Sequence, residues 1–170
     1  MKRLILLYLC LLVAACSSSD PAPVVTQYSL TVKADATINQ YNDDQANPVV
    51  VRLYQLTDQQ LFKQLPFIDL YNNDLQLLAA NLVSKQVLPI VLPNSEQAVT
   101  LDINKNTQYI AALVEFADYQ DGTTKAVLMM PSDPEQTLEL TITGKKAELA
   151  VIQPDSSCCL LYTSPSPRDS

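Results

Sequence analysis

The residues best able to do chemistry in this chain are oxygen donors gathered in one polar stretch. Asn39, Asn42, Asp43 and Asp44 stand close together, and carboxylates with amide carbonyls are the ligands Ca²⁺ takes. Their spacing matches no EF-hand loop, and the stretch lacks the Gly that such a loop needs for its sharp turn. Two carboxylates could also serve glycoside hydrolysis. Glu115, Asp118 and Asp121 join Asp43 and Asp44 as candidates, but all stand near turns or loop ends. Solvated loop charge is the expected role there, and Glu115 is expected at a strand end facing solvent. The chain has no His, so it lacks the commonest general base and metal ligand. A Ser or Thr nucleophile would need a Lys base, and no Ser-x-x-Lys occurs. With only Gly122 and Gly144 as glycines, no phosphate loop or dinucleotide fingerprint can be built. Acidic residues outnumber basic ones 18 to 11, which argues against a nucleic-acid surface. The expectation is a protein that is no enzyme and holds neither metal nor cofactor.

One thiol has a sharper context. Met1-Lys2-Arg3 precedes an apolar run from Leu4 to Ala15, and Val13-Ala14-Ala15-Cys16 follows the pattern of a small-residue cleavage site. The run is shorter than the roughly 20 residues of a spanning helix. The site resembles a bacterial lipobox, in which the Cys sulfur forms a thioether to diacylglycerol before cleavage. Residues 1–15 are therefore expected to be a lipoprotein signal peptide and Cys16 the lipidated first residue of the mature chain. Several acyl chains on one Cys anchor stably where a single chain holds only marginally. Ser17 stands where an Asp would imply inner-membrane retention, so the expected location is the outer membrane, facing the periplasm. Residues 16–27 are polar and contain Pro21 and Pro23, as a flexible tether does. At the other end, residues 158–170 resemble translated adapter sequence and are expected to be a non-native, disordered tail. Cys10 leaves with the signal, and a bond between neighbours Cys158 and Cys159 would be strained. The domain expected at 28–157 must be held by packing rather than disulfides.

A length of 170 residues with 48% apolar content suits one domain with a real core. From Tyr28 to Ile38 apolar and polar residues alternate, the period of a half-buried strand. Residues 39–48 form a polar loop around one aromatic, Tyr41. Residues 49–56 are apolar on both faces apart from Arg52, which predicts a central strand. The period then lengthens: Thr57-Asp58 opens a helix carrying Leu61, Phe62 and Leu65, Pro66 interrupts, and a stripe runs from Phe67 through Leu78 to Leu82. Asn72-Asn73 is its weak point. Residues 87–92, broken by Pro89, read as an edge strand. Val99, Leu101 and Ile103 alternate; residues 108–119 are apolar on both faces; Asp121-Gly122 signals a hairpin to residues 124–130. Alternation returns over 137–142, and residues 147–152 close the domain. Seven or eight strands with a turn about every ten residues predict a two-sheet β-sandwich, with a short helical insert after the second strand.

The strand Val49-Val50-Val51-Arg52-Leu53-Tyr54-Gln55-Leu56 after Pro48, leading to Phe62, Phe67, Asp69, Leu70 and Tyr71 behind a lipobox, resembles the TssJ (SciN-like) family, the outer-membrane lipoprotein of the bacterial type VI secretion system. The likeness spans roughly residues 28–152. Pro93-Asn94 stands where the family usually shows Pro-Gly, and Ala79-Ala80-Asn81 where a Gly is common. The resemblance implies a transthyretin-like sandwich that binds the periplasmic end of an inner-membrane partner, TssM, and so tethers a trans-envelope complex. It also implies that the loop between the first two strands meets that partner. Asn39, Gln40, Tyr41, Asn42, Asp43, Asp44 and Gln45 are the expected contact residues, with Tyr41 as anchor and the two aspartates facing basic groups. The alternative is a periplasmic lipoprotein whose sandwich binds a small ligand or carbohydrate, although the chain offers no Trp as a platform.

Overall fold

The computed structural model describes residues 24–42 and 45–152. The signal peptide, Cys16, most of the tether, Asp43, Asp44 and the tail at 158–170 lie outside the described residues. Among the described residues, eight strands form two four-stranded sheets. The first sheet holds β1 (Val25–Ala34), β4 (Ser95–Asn104), β7 (Thr137–Thr143) and β8 (Lys146–Ile152) in the order β4-β1-β7-β8. The second holds β2 (Val51–Leu56), β3 (Leu82–Val87), β5 (Tyr109–Val114) and β6 (Lys125–Met129) in the order β3-β2-β5-β6. Neighbours pair antiparallel except β1 and β7, which run parallel with Leu30 opposite Leu138.

Alternation on β1 and β7 turns Leu30, Val32, Leu138, Leu140 and Ile142 inward, where they meet Val51, Leu53, Ile110, Ala112 and Val114 of the other sheet. That layer is the main core. A second core explains why β2 and β5 are apolar on both faces. Their outer residues Tyr54, Leu56, Ala111 and Leu113 are covered by Phe62, Leu70 and Leu78 from two helices, α1 (Gln60–Gln64) and α2 (Phe67–Leu78). Each Leu fully buried in this way contributes about 2 kcal/mol. Pro66 sits at the N-cap of α2, where its missing N–H costs nothing. Asn73 leaves helical geometry at φ −138°, ψ 30° and kinks α2 at the point the Asn pair marked as weak.

Three expectations need correction. The helical stripe stops at Leu78, and Leu82 begins β3, pairing with Leu56. The edge strand is therefore Leu82–Val87, while residues 88–92 touch the sheet through a Val49–Val91 bridge and a hydrogen bond from the Leu88 N–H to the Val51 carbonyl. Edge residues pair on one side only, so sheet pairing rather than side-chain pattern decides this boundary. Finally, Asp121-Gly122 makes no tight hairpin. β5 ends at Val114 and β6 begins at Lys125, because residues 115–124 leave the sheet to bury Phe116 and stack Tyr119 on Phe67. Gly122 is needed for close approach instead: a Cβ there would lie 2.9 Å from the Lys145 carbonyl oxygen.

Candidate functional site

The strand directions give the sandwich two ends. At one, β1 begins, β4 turns into β5 and β8 finishes. At the other, β1 leaves at Ala34, and residues 39–42, 45–48, 88–94, 115–124 and the Gly144-Lys145 turn come together. Ten residues of β1 separate the ends, about 30 Å at a strand's rise per residue.

The loop at 39–48 is held at its base by two asparagines. Asn39 has φ 53°, a left-handed conformation that Asn tolerates better than most residues. Its backbone N–H donates to the Gly144 carbonyl at 2.9 Å, its Nδ2 donates to the Pro48 carbonyl at 2.9 Å, and its Oδ1 accepts from the Ala117 N–H at 2.7 Å. Asn47 donates from its backbone N–H to the Ile38 carbonyl, and from Nδ2 to the carbonyls of Asn39 and Gln45. Above this base Gln40 is half-buried, Tyr41 is 49% exposed, and Asn42, at φ 59°, and Gln45 face outward. Asn39 is therefore an internal strut, 6% exposed, and its amide oxygen is committed to Ala117 rather than aimed at a Ca²⁺. Nothing in the residue spacing distinguishes this strut from its exposed neighbours, because two of its partners lie 78 and 105 positions away.

A second constellation lies beside that base and escaped the sequence reading. Asp74, a buried residue of α2, accepts hydrogen bonds at Oδ2 from the Tyr54 hydroxyl at 2.7 Å and Arg52 at 3.2 Å, pairs with Lys85 at 2.5 Å, and accepts at Oδ1 from the Leu75 N–H. Arg52 also donates to the Tyr71 carbonyl at 3.0 Å, pairs with Glu115, and lies 5.0 Å over the Tyr71 ring. Glu115 thus points at Arg52 under the helices instead of facing solvent, which corrects the expectation for it. Burial pushes the Asp74 carboxyl up, but hydrogen bonds from Lys85, Tyr54 and Leu75 outweigh it and hold the group below the usual carboxylate range. Burial, reinforced by the bond to Asp74, pushes the Tyr54 hydroxyl up and keeps it protonated. These groups satisfy one another and fasten the kinked helix to the sheet.

Next to this cluster Phe67 stacks on Tyr71 and on Tyr119, with centroids 5.8 and 4.7 Å apart, and a 270 Å³ cavity opens between α2 and residues 115–119. Asp118 is paired with Lys145, so it acts as a brace between the loops at this end. The whole surface suits recognition of another protein: an exposed aromatic on a braced loop, amides around it, and a ring-lined hollow near its base.

A family model described as type VI secretion lipoprotein (VasD, EvfM, TssJ) matches residues 26–145. No curated protein matches the sequence. Among solved structures, the fold is similar to the type VI lipoprotein TssJ1 from Pseudomonas aeruginosa, at 20% identity and a TM-score of 0.70, covering 77% of this chain and 99% of that one. It is also similar to Serratia marcescens Lip, described as a membrane-bound component of the type VI secretion system, at 19% identity and a TM-score of 0.66, covering 77% and 99%. A chain of a structure described as the type VI protein TssM C-terminal domain from EAEC shares 22% identity with a TM-score of 0.59, covering 72% and 99%.

Proposed function

This chain belongs to the type VI secretion lipoprotein family, and from that premise we propose that it is a structural anchor of the secretion machine. In this reading Cys16 is acylated and held in the outer membrane. The domain hangs into the periplasm and binds the periplasmic part of an inner-membrane protein of the TssM kind, the name carried by one of the structures it resembles. The observation that supports this best is the polarity of the domain. The tether enters at the start of β1, and the braced loop carrying Tyr41 stands at the far end of the same strand. An anchor fixed above at one end must offer its binding surface at the other. Gln40, Tyr41, Asn42, Asp43, Asp44 and Gln45 are the proposed contacts, with Asn39 shaping the loop they stand on.

The test is to replace residues 40–46 by Asn-Gly, a turn short enough for a tight connection, and to measure both thermal unfolding and capture of the partner's periplasmic domain. A folded domain that no longer captures the partner is the expected result. Unchanged capture would sink the proposal. Anchoring is tested separately: a fatty-acid analogue should label wild type and fail to label Cys16→Ser, and equal labelling would rule the anchor out.

A further inference from the structure

The end opposite the loop has a surface of its own. A cleft of about 440 Å³ opens there between the two sheets, lined in part by Tyr28, Ile103, Lys105, Tyr109, Met129 and Pro131. Around it stand three exposed apolar side chains: Val24, 63% exposed, Val25, 44%, and Met129, 65%. The adjacent Val24 and Val25 and the distant Met129 are brought to one rim by pairing. The Lys105 N–H donates to the Val24 carbonyl, Val25 lies opposite Asn104, and Met129 lies opposite Tyr109. Single exposed apolar residues need no explanation, but several round one concavity at one end do.

We propose that this rim is a membrane-contact face, resting on the bilayer in which the anchored Cys16 is held. The proposal rests on the lipoprotein reading above. The occupant follows from the length of the chain and where it ends. Only seven residues, 17–23, separate Cys16 from Val24, and even fully extended they span no more than about 28 Å with their end bonds. The tether therefore delivers this rim, and no other end of the domain, to the lipid surface at high local concentration. Val24, Val25 and Met129 then enter the headgroup boundary as amphipathic surfaces do. The contact is apolar in kind: among the described residues Lys105 is the one charged residue lining the cleft, and Asp133 and Glu135 follow on the adjoining segment, so anionic lipid gains nothing there.

The chain has no Trp, so single tryptophans report cleanly. Full-length lipidated Met129→Trp and Ile90→Trp are placed in phosphatidylcholine vesicles containing brominated lipid. Ile90 is 62% exposed but stands at the loop end, beside the Val49–Val91 bridge, so the pair separates position from hydrophobicity. The expected result is quenching at position 129 at least about twofold stronger than at 90, unchanged by salt because no charge attraction holds the rim. Equal quenching at both positions, none at 129, or loss on adding salt would overturn the proposal. So would an emission shift at 129 that grows with protein concentration without vesicles, which would assign the rim to a second copy. Cys16 labelling and partner capture are read on the same vesicles. Lost anchoring overturns the proposal together with the anchor reading; lost capture with retained quenching strikes the anchor's partner alone and leaves the rim on the membrane.

Discussion

Asp74 meets a hydroxyl, an ammonium, a guanidinium and a backbone N–H while almost wholly withdrawn from water. Removing one member of such a buried set leaves the others desolvated and unpaired, which costs far more than the pair contributes over an apolar replacement. Asp74→Ala is expected to lose about 3 kcal/mol of stability in urea unfolding. The same carboxylate sets a pH dependence. Its folded pKa lies below its unfolded value, so the fold favours the ionised form. That contribution is complete above the ordinary carboxylate pKa and drains away as pH falls through it toward the depressed folded value. The stability gap between wild type and Asp74→Asn should therefore narrow between pH 7 and about pH 3. A gap that stays constant over that range would contradict the assignment.

Among the elements, those with one dry and one wet face were open to sequence reading. β1 and β7 alternate because one side meets the core and the other water. β2 and β5 read as central because a helical layer dries their second face. β3 is not legible in the sequence, because all six of its residues are half-buried or exposed, leaving no period to follow. The charged cluster was invisible for another reason: Arg52, Asp74, Lys85 and Glu115 come from four separate segments, and only tertiary packing gathers them. Turn chemistry was legible in outline. The resemblance expected Gly after Pro93, and Asn94 meets the same need by taking φ 52°. Asn94→Gly should leave the melting temperature nearly unchanged, whereas Asn94→Val should cost about 1–2 kcal/mol through its left-handed backbone. Equal melting of the two variants would show that this turn does not demand the conformation.

At the scale of the molecule, the proposed membrane attachment and the proposed partner-binding loop lie at opposite ends of one sandwich. The main core runs along β1 from Tyr28 to Ala34 between them, so a pull at the loop is borne by paired strands. The fold was predictable because alternation and period changes are local. The role proposed for the loop comes from the resemblance, since exposed polar residues carry no signature until the strut beneath them is seen. The measurement that tests this account most directly is the affinity of the partner's periplasmic domain for Tyr41→Ala, set beside Met129→Ser as a control at the other end. An anchoring aromatic at an interface centre is worth about 2 kcal/mol or more, so Tyr41→Ala should bind about 30-fold more weakly with its melting temperature unchanged, while Met129→Ser binds like wild type. Equal affinity of wild type and Tyr41→Ala would contradict the account at its centre.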